Sequence, residues 1–489
     1  MAPLDLAIVA GYLLLTLGLG WRIARRQATS TDYFLGARDL PAFAVLLSIV
    51  ATETSALTVI SVPGVGARGD LGFLQLAFGY LVGRIGVAVW LLPGYFHGEQ
   101  ETAYQRLESR FGPGTRRTLS ATFLVTRFLA DGVRIFAGAI PLALATGWTV
   151  STAILMMGVV TIAYTLLGGL RAVIWADVIQ LAIYVTGGIA ALGIAWSLAG
   201  GPGAALAEAG AAGRLQMIDP AFSLTRTYTL LGGLVGGAML SAASHGTDHL
   251  IVQRLLATRS LRQARIALVG SGVAVIGQFL LFLLVGSAIW AAGFAPEGML
   301  ADEIFPRFII EHLPTGLRGL LIAGILAAAM STISSSINAL ASSVTYDWYA
   351  ARGAPKDPTR LLRAGRWFSA GWGLALVGGA LLIAAAAART DTPIVVLALS
   401  IASITYGALL GTYILASERC PAAGTDAIAG AVASMLAMLG VVFARTLVTW
   451  GVGWMEPLSR LAWPWFVPLG TALTVTVGLA SSLIRGRAR

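Results

Sequence analysis

Hydroxyl-bearing side chains crowd into one apolar stretch of the chain, LAAAMSTISSS at residues 326–336. In a helix, Ser331 and Ser335 would share one face at i,i+4 spacing, and Ser334 would lie beside them. Uncharged oxygen ligands suit a small hard cation such as Na⁺, because they replace its water without trapping the ion. The alternative interpretation is that these residues are small packing positions whose hydroxyls bond back to their own helix.

A single carboxylate, Glu53, lies in a second stretch that is otherwise uncharged, LLSIVATETSALTVISVPGVG at residues 46–66. The hydroxyl residues around it are Thr52, Thr54, Ser55 and Thr58. An ionisable group at membrane depth is costly, so its presence indicates a function. The neighbouring hydroxyls predict a helix that breaks and holds something polar. Glu53 either contacts the bound species or pairs with Arg84 or Arg134, since a buried charge must be compensated.

The elements that position these residues must be membrane-spanning helices. The chain of 489 residues is 57% hydrophobic and 11% charged, whereas a soluble domain carries about 25% charged residues. Apolar runs of about 20 residues recur along its length, each long enough to cross the hydrocarbon of a bilayer. We therefore expect an all-α polytopic protein of the cell membrane, with one transmembrane domain over residues 1–489 and the lipid bilayer around it.

Thirteen spans are predicted, with the N-terminus outside and the C-terminus in the cytoplasm. Basic residues concentrate in the loops that this arrangement places inside, as the positive-inside rule requires. The first span has the reverse of a signal peptide's charge order, so we expect it to be retained. The predicted spans are 4–21, 40–62, 71–95, 118–145, 150–168, 172–199, 227–250, 266–293, 319–346, 367–388, 393–417, 424–444 and 463–484. Spans two and seven both have polar interruptions and lie five apart, a spacing typical of inverted-repeat transporters with a midplane site.

Span four carries Arg127, Asp131 and Arg134 at helical spacing on one face. We expect Asp131 to neutralise Arg127 and to leave Arg134 as the freer cation. A guanidinium suits a carboxylate, because it offers two parallel donors. If Arg134 is free, the transported solute carries a carboxylate; if Arg134 pairs with Glu53, that inference fails.

Two histidines, His245 and His249, bracket Asp248 in span seven. Their i,i+4 spacing could hold a metal, but the sequence offers no clear third ligand. A proton-sensitive gate is a second interpretation, and an interhelical hydrogen bond is the favoured one.

Several other classes of function are excluded by the sequence. The net charge of +10 comes from basic residues in short loops, so we expect no nucleic-acid partner. The phosphate-binding pattern GxxxxGK[ST] is absent, which argues against ATP-driven transport. No nucleophile is paired with a base, so an enzyme is not expected. The single cysteine, Cys420, excludes an internal disulfide and a cysteine metal cluster.

Four segments together resemble the sodium/solute symporter family, which includes the proline, galactose and sialic acid symporters. They are ATETSALT at 51–58, YTLLGGLRAVIWADVIQ at 164–180, GTDHLIVQR at 246–254 and GLLIAGILAAAMST at 319–332. The resemblance implies about thirteen helices with an inverted five-plus-five core. The first repeat would be 40–199 and the second 227–417, flanked by the helix at 4–21 and two helices at 424–484.

The resemblance also implies where Na⁺ binds. Carried over position by position, a Na⁺ site would use the backbone carbonyls of Ala51, Thr54 and Ala328 and the hydroxyls of Ser331 and Thr332. A second Na⁺ site would use Asp177, Ser334 and Ser335. The alternative is that Asp177 helps the cation to leave or pairs with Arg171.

A small polar organic solute, carboxylate-bearing or zwitterionic, is the expected cargo of Na⁺-coupled symport by alternating access. The expected solute-binding residues are Glu53, Ser55, Thr58, Phe73, Gln75, Arg134 and Asp248. Asp248 stands where the galactose symporter has Asn, which weakens the alternative of a sugar solute. A channel, or a transport-like receptor with little turnover, is the remaining alternative.

Overall fold

The structure is a computed structural model that describes residues 2–24, 27–98, 100–353, 357–387 and 394–487. The α-helices are α1 Pro3–Ala24, α2 Ser30–Leu35, α3 Ala42–Glu53, α4 Ala56–Arg68, α5 Leu74–Gly86, α6 Leu92–Tyr95, α7 Gln105–Phe111, α8 Pro113–Thr146, α9 Val150–Leu198, α10 Pro202–Ala211, α11 Gly237–Gly246, α12 His249–Leu256, α13 Leu261–Ala291, α14 Ala301–His312, α15 Leu317–Ser343, α16 Pro358–Ala387, α17 Ile394–Leu415, α18 Gly424–Val442, α19 Ala444–Thr449, α20 Glu456–Ser459 and α21 Phe466–Arg487. Three π-helical segments are Val87–Leu91, Gly232–Gly236 and Val344–Tyr349. Short 3₁₀ turns are Gly36–Arg38, Ala350–Arg352, Gly453–Met455 and Trp463–Trp465.

Helical structure lies at each of the thirteen predicted spans. Among the described residues, eight helices are long and apolar enough to cross a membrane, or nine if the bent pair α3 and α4 counts as one span. The count of thirteen therefore stays a prediction. The end of the tenth predicted span, at 388, and the start of the eleventh, at 393, fall outside the described residues.

Two of the predicted spans are broken where the sequence places polar residues. Helices α3 and α4 meet at an angle of 68°, because Thr54 and Ser55 have extended backbone conformations. Helices α11 and α12 are separated at Thr247, and the carboxylate of Asp248 caps α12 by accepting from the amide of Leu250 at 2.9 Å. Each break leaves backbone groups without helical partners, which is the condition for binding a polar species.

Predicted spans five and six form one long element, α9, with a sharp kink at Gly169. The φ of Gly169 is 54°, and a Cβ atom there would lie 2.4 Å from the carbonyl oxygen of Tyr33. Only glycine combines a positive φ with the absence of a Cβ atom. The Gly168–Gly169 pair therefore turns the chain at the loop predicted between spans five and six.

Helix α15 lies at the centre of the bundle and packs against α8, α9 and α16. Nearly all of its side chains are buried, the hydroxyl run at 331–336 included. The broken helix packs beside it, α3 against α9 and α13, and α4 against α13 and α15. Glycines allow the close approach: a Cβ on Gly286 of α13 would lie 1.8 Å from the carbonyl oxygen of Pro63. The fold thus places the break at 54–55 next to the hydroxyls of α15.

Candidate functional site

A cavity of about 400 Å³ opens beside the break between α3 and α4. Five of the seven predicted solute-binding residues line it: Glu53, Ser55, Thr58, Phe73 and Arg134. The other lining residues are Thr52, Leu57, Ser61, Val62, Val65, Tyr80, Arg127, Tyr228, Leu240, Ser241, Ser244, His245, Leu250, Ile251, Phe279, Thr332, Ser403, Tyr406 and Trp463. The wall is largely apolar, and polar groups gather at a few places.

Glu53 pairs with Arg84, one of the two partners that the sequence left open. The guanidinium of Arg84 donates to the Glu53 carboxylate and, over 2.7 Å, to the hydroxyl of Ser271. Arg84 is fully buried, whereas the Glu53 side chain is 19% exposed toward the cavity. The alternative pairing with Arg134 is therefore wrong: Glu53 is compensated from α5 and not from α8.

Arg134 is the more exposed of the two arginines of α8, as expected, but it is not unpaired. Asp131 accepts from both arginines of α8, from Arg134 at 3.0 Å and from Arg127 at 3.3 Å. Arg127 has a second acidic partner, Asp248, at 2.6 Å, so it is the better neutralised of the two. The Arg134 side chain is 23% exposed and the Arg127 side chain 8%. Arg134 thus remains the more accessible guanidinium, although it shares a carboxylate.

Asp248 and Gln75 lie outside the cavity lining, contrary to the prediction that they bind solute. Asp248 Oδ2 accepts from Arg127 and from the hydroxyl of Tyr406 at 3.1 Å, so it orients two residues that do line the cavity. Gln75 is buried and holds the long loop that follows α10, since its side-chain carbonyl accepts from the amide of Asp219 at 3.0 Å.

The predicted Na⁺ ligands lie on two neighbouring elements, the end of α3 and the middle of α15. Thr54 and Ala51 belong to the last turn of α3, whose carbonyls lose their helical donors at the break. Thr332 lines the cavity and its hydroxyl donates to the carbonyl of Ala328 at 3.3 Å. The hydroxyl of Ser331 donates to Asp177 Oδ1 at 2.6 Å. These oxygen atoms are the uncharged donors that suit Na⁺.

Asp177 accepts hydrogen bonds at the centre of a buried polar network, and one member of that network, Arg254, was not predicted from the sequence. Arg254 of α12 lies 3.3 Å from Asp177 and also donates to the hydroxyls of Ser48 and Ser335. The alternative pairing of Asp177 with Arg171 is wrong, because Arg171 donates to the carbonyl of Gly36 at 2.9 Å.

The sequence interpretation treated Arg254 as a loop residue that sets topology, yet its side chain is fully buried. The signal was its place in HLIVQRLL, where apolar residues flank it on both sides. Ser334, the remaining residue predicted for a second Na⁺ site, donates to the carbonyl of Ser331 at 3.1 Å.

The two histidines of span seven have separate roles. His249 makes interhelical contacts, accepting from the amide of Ala103 at 3.3 Å and lying 3.1 Å from the hydroxyl of Ser342. His245 lines the cavity, and its Nε2 lies 3.7 Å from the Glu53 carboxylate. Within the part of the chain that the structure describes, no group of three or more His, Cys, Asp or Glu side chains could hold a metal ion.

A bundle of apolar helices, two of them broken beside a cavity that gathers a few polar groups, is typical of a membrane transporter. The model of the sodium:solute symporter family matches residues 33–437, and the chain belongs to that family.

Among its relatives, the human sodium/iodide cotransporter is 30% identical over 91% of this chain and 70% of its own length. The human sodium-coupled monocarboxylate transporter 1 is 30% identical over 84% of this chain and 68% of its own length. A solved structure of a Na⁺-coupled sialic acid symporter in a substrate-bound outward-open state shares the fold. Its TM-score is 0.87 at 23% identity, over 99% of this chain and 98% of that one.

The chain is therefore a sodium-coupled solute symporter of the membrane and not an enzyme. Na⁺ and a small solute are its partners, and the fold carries them by alternating access. Coupling requires that Na⁺ and solute each bind more tightly to the same conformation.

Proposed function

We propose that the solute is a small organic carboxylate, imported with Na⁺. The observation that carries this proposal is Arg134, whose guanidinium lines the cavity and stays partly exposed. A guanidinium gives a carboxylate two parallel hydrogen bonds. The aromatic rings of Phe73 and Phe279, packed edge to face 4.9 Å apart, offer an apolar surface for the rest of such a solute. The human monocarboxylate transporter among the relatives supports the same class.

The balance of charge around the cavity fits an anion that travels with a cation. Glu53 is balanced by Arg84, and the two arginines of α8 are balanced by Asp131 and Asp248. A carboxylate alone would leave a net negative charge in a site of low dielectric, which is costly. A Na⁺ bound beside it removes that cost, so each ligand favours the binding of the other.

The Na⁺ ion would bind at the carbonyls of Ala51, Thr54 and Ala328 and the hydroxyls of Ser331 and Thr332. Thr332 belongs to this set and to the cavity lining, which places the ion next to the solute. Binding there would hold the end of α3 against α15 and so fix Ser55, the N-cap of α4, and Thr58 of α4, both of which line the cavity.

A second Na⁺ at Asp177, Ser334 and Ser335 would compete with Arg254. The guanidinium already supplies a positive charge to Asp177 and a donor to Ser335. We propose that this position holds Na⁺ only in a conformation from which Arg254 has withdrawn.

The chain would form one transporter domain with two inverted repeats, 40–199 and 227–417, and flanking helices at 4–21 and 424–484. The two broken helices, which lie at corresponding places in the two repeats, support this division. The N-terminus would lie outside and the C-terminus in the cytoplasm of a cell whose membrane surrounds the protein.

Counterflow in proteoliposomes tests the proposed solute class. Vesicles loaded with unlabelled butyrate should accumulate labelled butyrate in the presence of Na⁺, and unlabelled galactose or iodide should compete poorly. A carrier exchanges label without net flux, whereas a channel cannot. Exchange of labelled galactose or iodide, with no exchange of butyrate, would overturn the carboxylate assignment.

A further inference from the structure

Two residues of the cavity lining each carry a buried polar atom without a hydrogen-bond partner among the described residues: the Oγ of Ser241 and the Nε2 of His245. Their side chains are 1% and 3% exposed. Both belong to α11 at i,i+4 spacing, so they present their groups on one face of the helix. A buried polar atom is costly to leave unpaired, and a group on the bound solute would satisfy both.

The surroundings of His245 define the chemistry of that group. Its Nδ1 lies 2.8 Å from the hydroxyl of Ser244, and its Nε2 lies 3.7 Å from the carboxylate of Glu53. The hydroxyl of Ser244 has two acceptors within reach, Nδ1 of His245 at 2.8 Å and the carbonyl of Ser241 at 3.4 Å. When it donates over the shorter contact to Nδ1, Nε2 carries the proton and faces the negative charge of Glu53. The separation of 3.7 Å is too long for a hydrogen bond, yet one further atom can lie within about 2.8 Å of both groups.

That further atom must accept a hydrogen bond from the Nε2–H of His245 and belong to a group that donates a hydrogen bond to the carboxylate of Glu53. A hydroxyl oxygen does both. A second carboxylate on the solute would be repelled by Glu53, and an ammonium group could not accept from the imidazole N–H. The hydroxyl of Ser241, one turn earlier on the same helix, can donate to or accept from the same solute group.

We propose that Ser241, His245 and Glu53 form a hydroxyl-binding subsite, and that the solute is a hydroxylated carboxylate. This inference rests on the proposed function for the carboxylate end, which Arg134 would bind from α8. A site built to hydrogen-bond a hydroxyl discriminates strongly against the analogue that lacks it, because its own buried polar groups then stay unpaired.

Competition among four solutes of equal carbon number tests the subsite. Butyrate and 2-, 3- and 4-hydroxybutyrate differ only in the presence and position of one hydroxyl. The assay measures how well each solute competes with Na⁺-driven uptake of labelled butyrate into proteoliposomes. At least one hydroxybutyrate should compete about 10- to 100-fold better than unlabelled butyrate, which is the range expected for a hydrogen bond to a charged group. The ratio should fall to below about 2-fold in Ser241→Ala and in His245→Phe.

Two further variants guard against a trivial loss of folding. Ser241→Thr keeps the hydroxyl and should keep a preference of the same direction. Ser197→Ala removes an exposed hydroxyl of α9, outside the cavity lining, and should retain the full ratio. Thermal unfolding of each purified variant shows whether it is folded.

The outcomes separate this inference from the proposed function. If all four carboxylates compete for Na⁺-dependent uptake with equal potency, the hydroxyl subsite is overturned and the carboxylate proposal stands. Competition by galactose alone, abolished in Ser241→Ala, would support the subsite and overturn the carboxylate proposal. An unchanged ratio in folded Ser241→Ala and His245→Phe would also overturn the subsite.

Discussion

The carboxylate of Asp177 in α9 and the guanidinium of Arg254 in α12 form an ion pair at 3.3 Å in the interior of the bundle. Both side chains are fully buried. The hydroxyl of Thr52, which lines the cavity, lies 3.4 Å from the same carboxylate oxygen. The pair therefore joins α9 to α12 next to the broken helix. It also places a fixed positive charge where a second Na⁺ would bind.

The first prediction concerns the number of Na⁺ ions in each transport cycle. While Arg254 compensates Asp177, a second cation gains little from this site. Na⁺-dependent uptake should therefore show a Hill coefficient of about 1. In Arg254→Gln the buried carboxylate lacks its counter-ion, so Na⁺ should replace the guanidinium and raise the coefficient toward about 2.

Arg259→Gln is the matched control for this change. Arg259 pairs with Asp39 at an exposed position, so its loss should leave the Hill coefficient as it is in the unmodified protein. A coefficient of about 2 in the unmodified protein would contradict the prediction.

The membrane-spanning helices and the main break were accessible from sequence, because both depend on local properties. Apolar length indicates a span, and Glu53 with its neighbouring hydroxyls marked the place where α3 ends. The predicted residues of α4, Ser55 and Thr58, also line the cavity. The position of one helix relative to another across the cavity could not be predicted from the sequence.

Charge pairing shows that limit most clearly. Arg84 and Arg134 were equally plausible partners of Glu53, since the choice depends on how α5 and α8 are placed across the cavity. Arg254 falls in the loop predicted between spans seven and eight, because the seventh span is predicted to end at residue 250. The break before α12 moves that end into the bundle, and the apolar residues on both sides of the Gln253–Arg254 pair are a local sign of this displacement.

The second prediction concerns the Na⁺ ligands of α15. Ser331→Ala or Thr332→Ala removes one oxygen donor, so either change should raise the Na⁺ concentration for half-maximal uptake by about tenfold or more, equivalent to about 1.4 kcal/mol. The double variant should lose Na⁺ activation. Thr345→Ala is the control, because the hydroxyl of Thr345 donates to the carbonyl of Ala341 at 2.7 Å and Thr345 is not among the residues that line the cavity. Full Na⁺ activation in the double variant would refute the site.

The third prediction concerns recognition of the carboxylate. Arg134→Ala should weaken competition by butyrate about 10- to 100-fold, as expected for loss of a charged hydrogen bond. Arg134→Lys should retain part of the competition by butyrate that Arg134→Ala loses, because an ammonium is charged but lacks the planar pair of donors. Arg460→Ala removes an exposed arginine that pairs with Glu456, and should leave competition unchanged. Equal potency of butyrate in Arg134→Ala and Arg460→Ala would exclude Arg134 as the anchor.

The fourth prediction separates the structural contribution of Glu53 from its contact with solute. Glu53→Gln leaves the fully buried guanidinium of Arg84 without its counter-ion. The cost should be about 3–5 kcal/mol of stability, measured as a lower midpoint of thermal unfolding in detergent. Arg84→Met alone should also destabilise the protein, since Glu53 then stays charged in an apolar wall.

The double variant Glu53→Gln/Arg84→Met removes both charges at once, so it should unfold at a higher temperature than either single variant. A mere sum of the two single effects would show that the pair is not coupled. If the double variant regains stability but not solute uptake, Glu53 has a role beyond pairing with Arg84. The proposed hydrogen bond between a solute hydroxyl and the carboxylate of Glu53 is such a role.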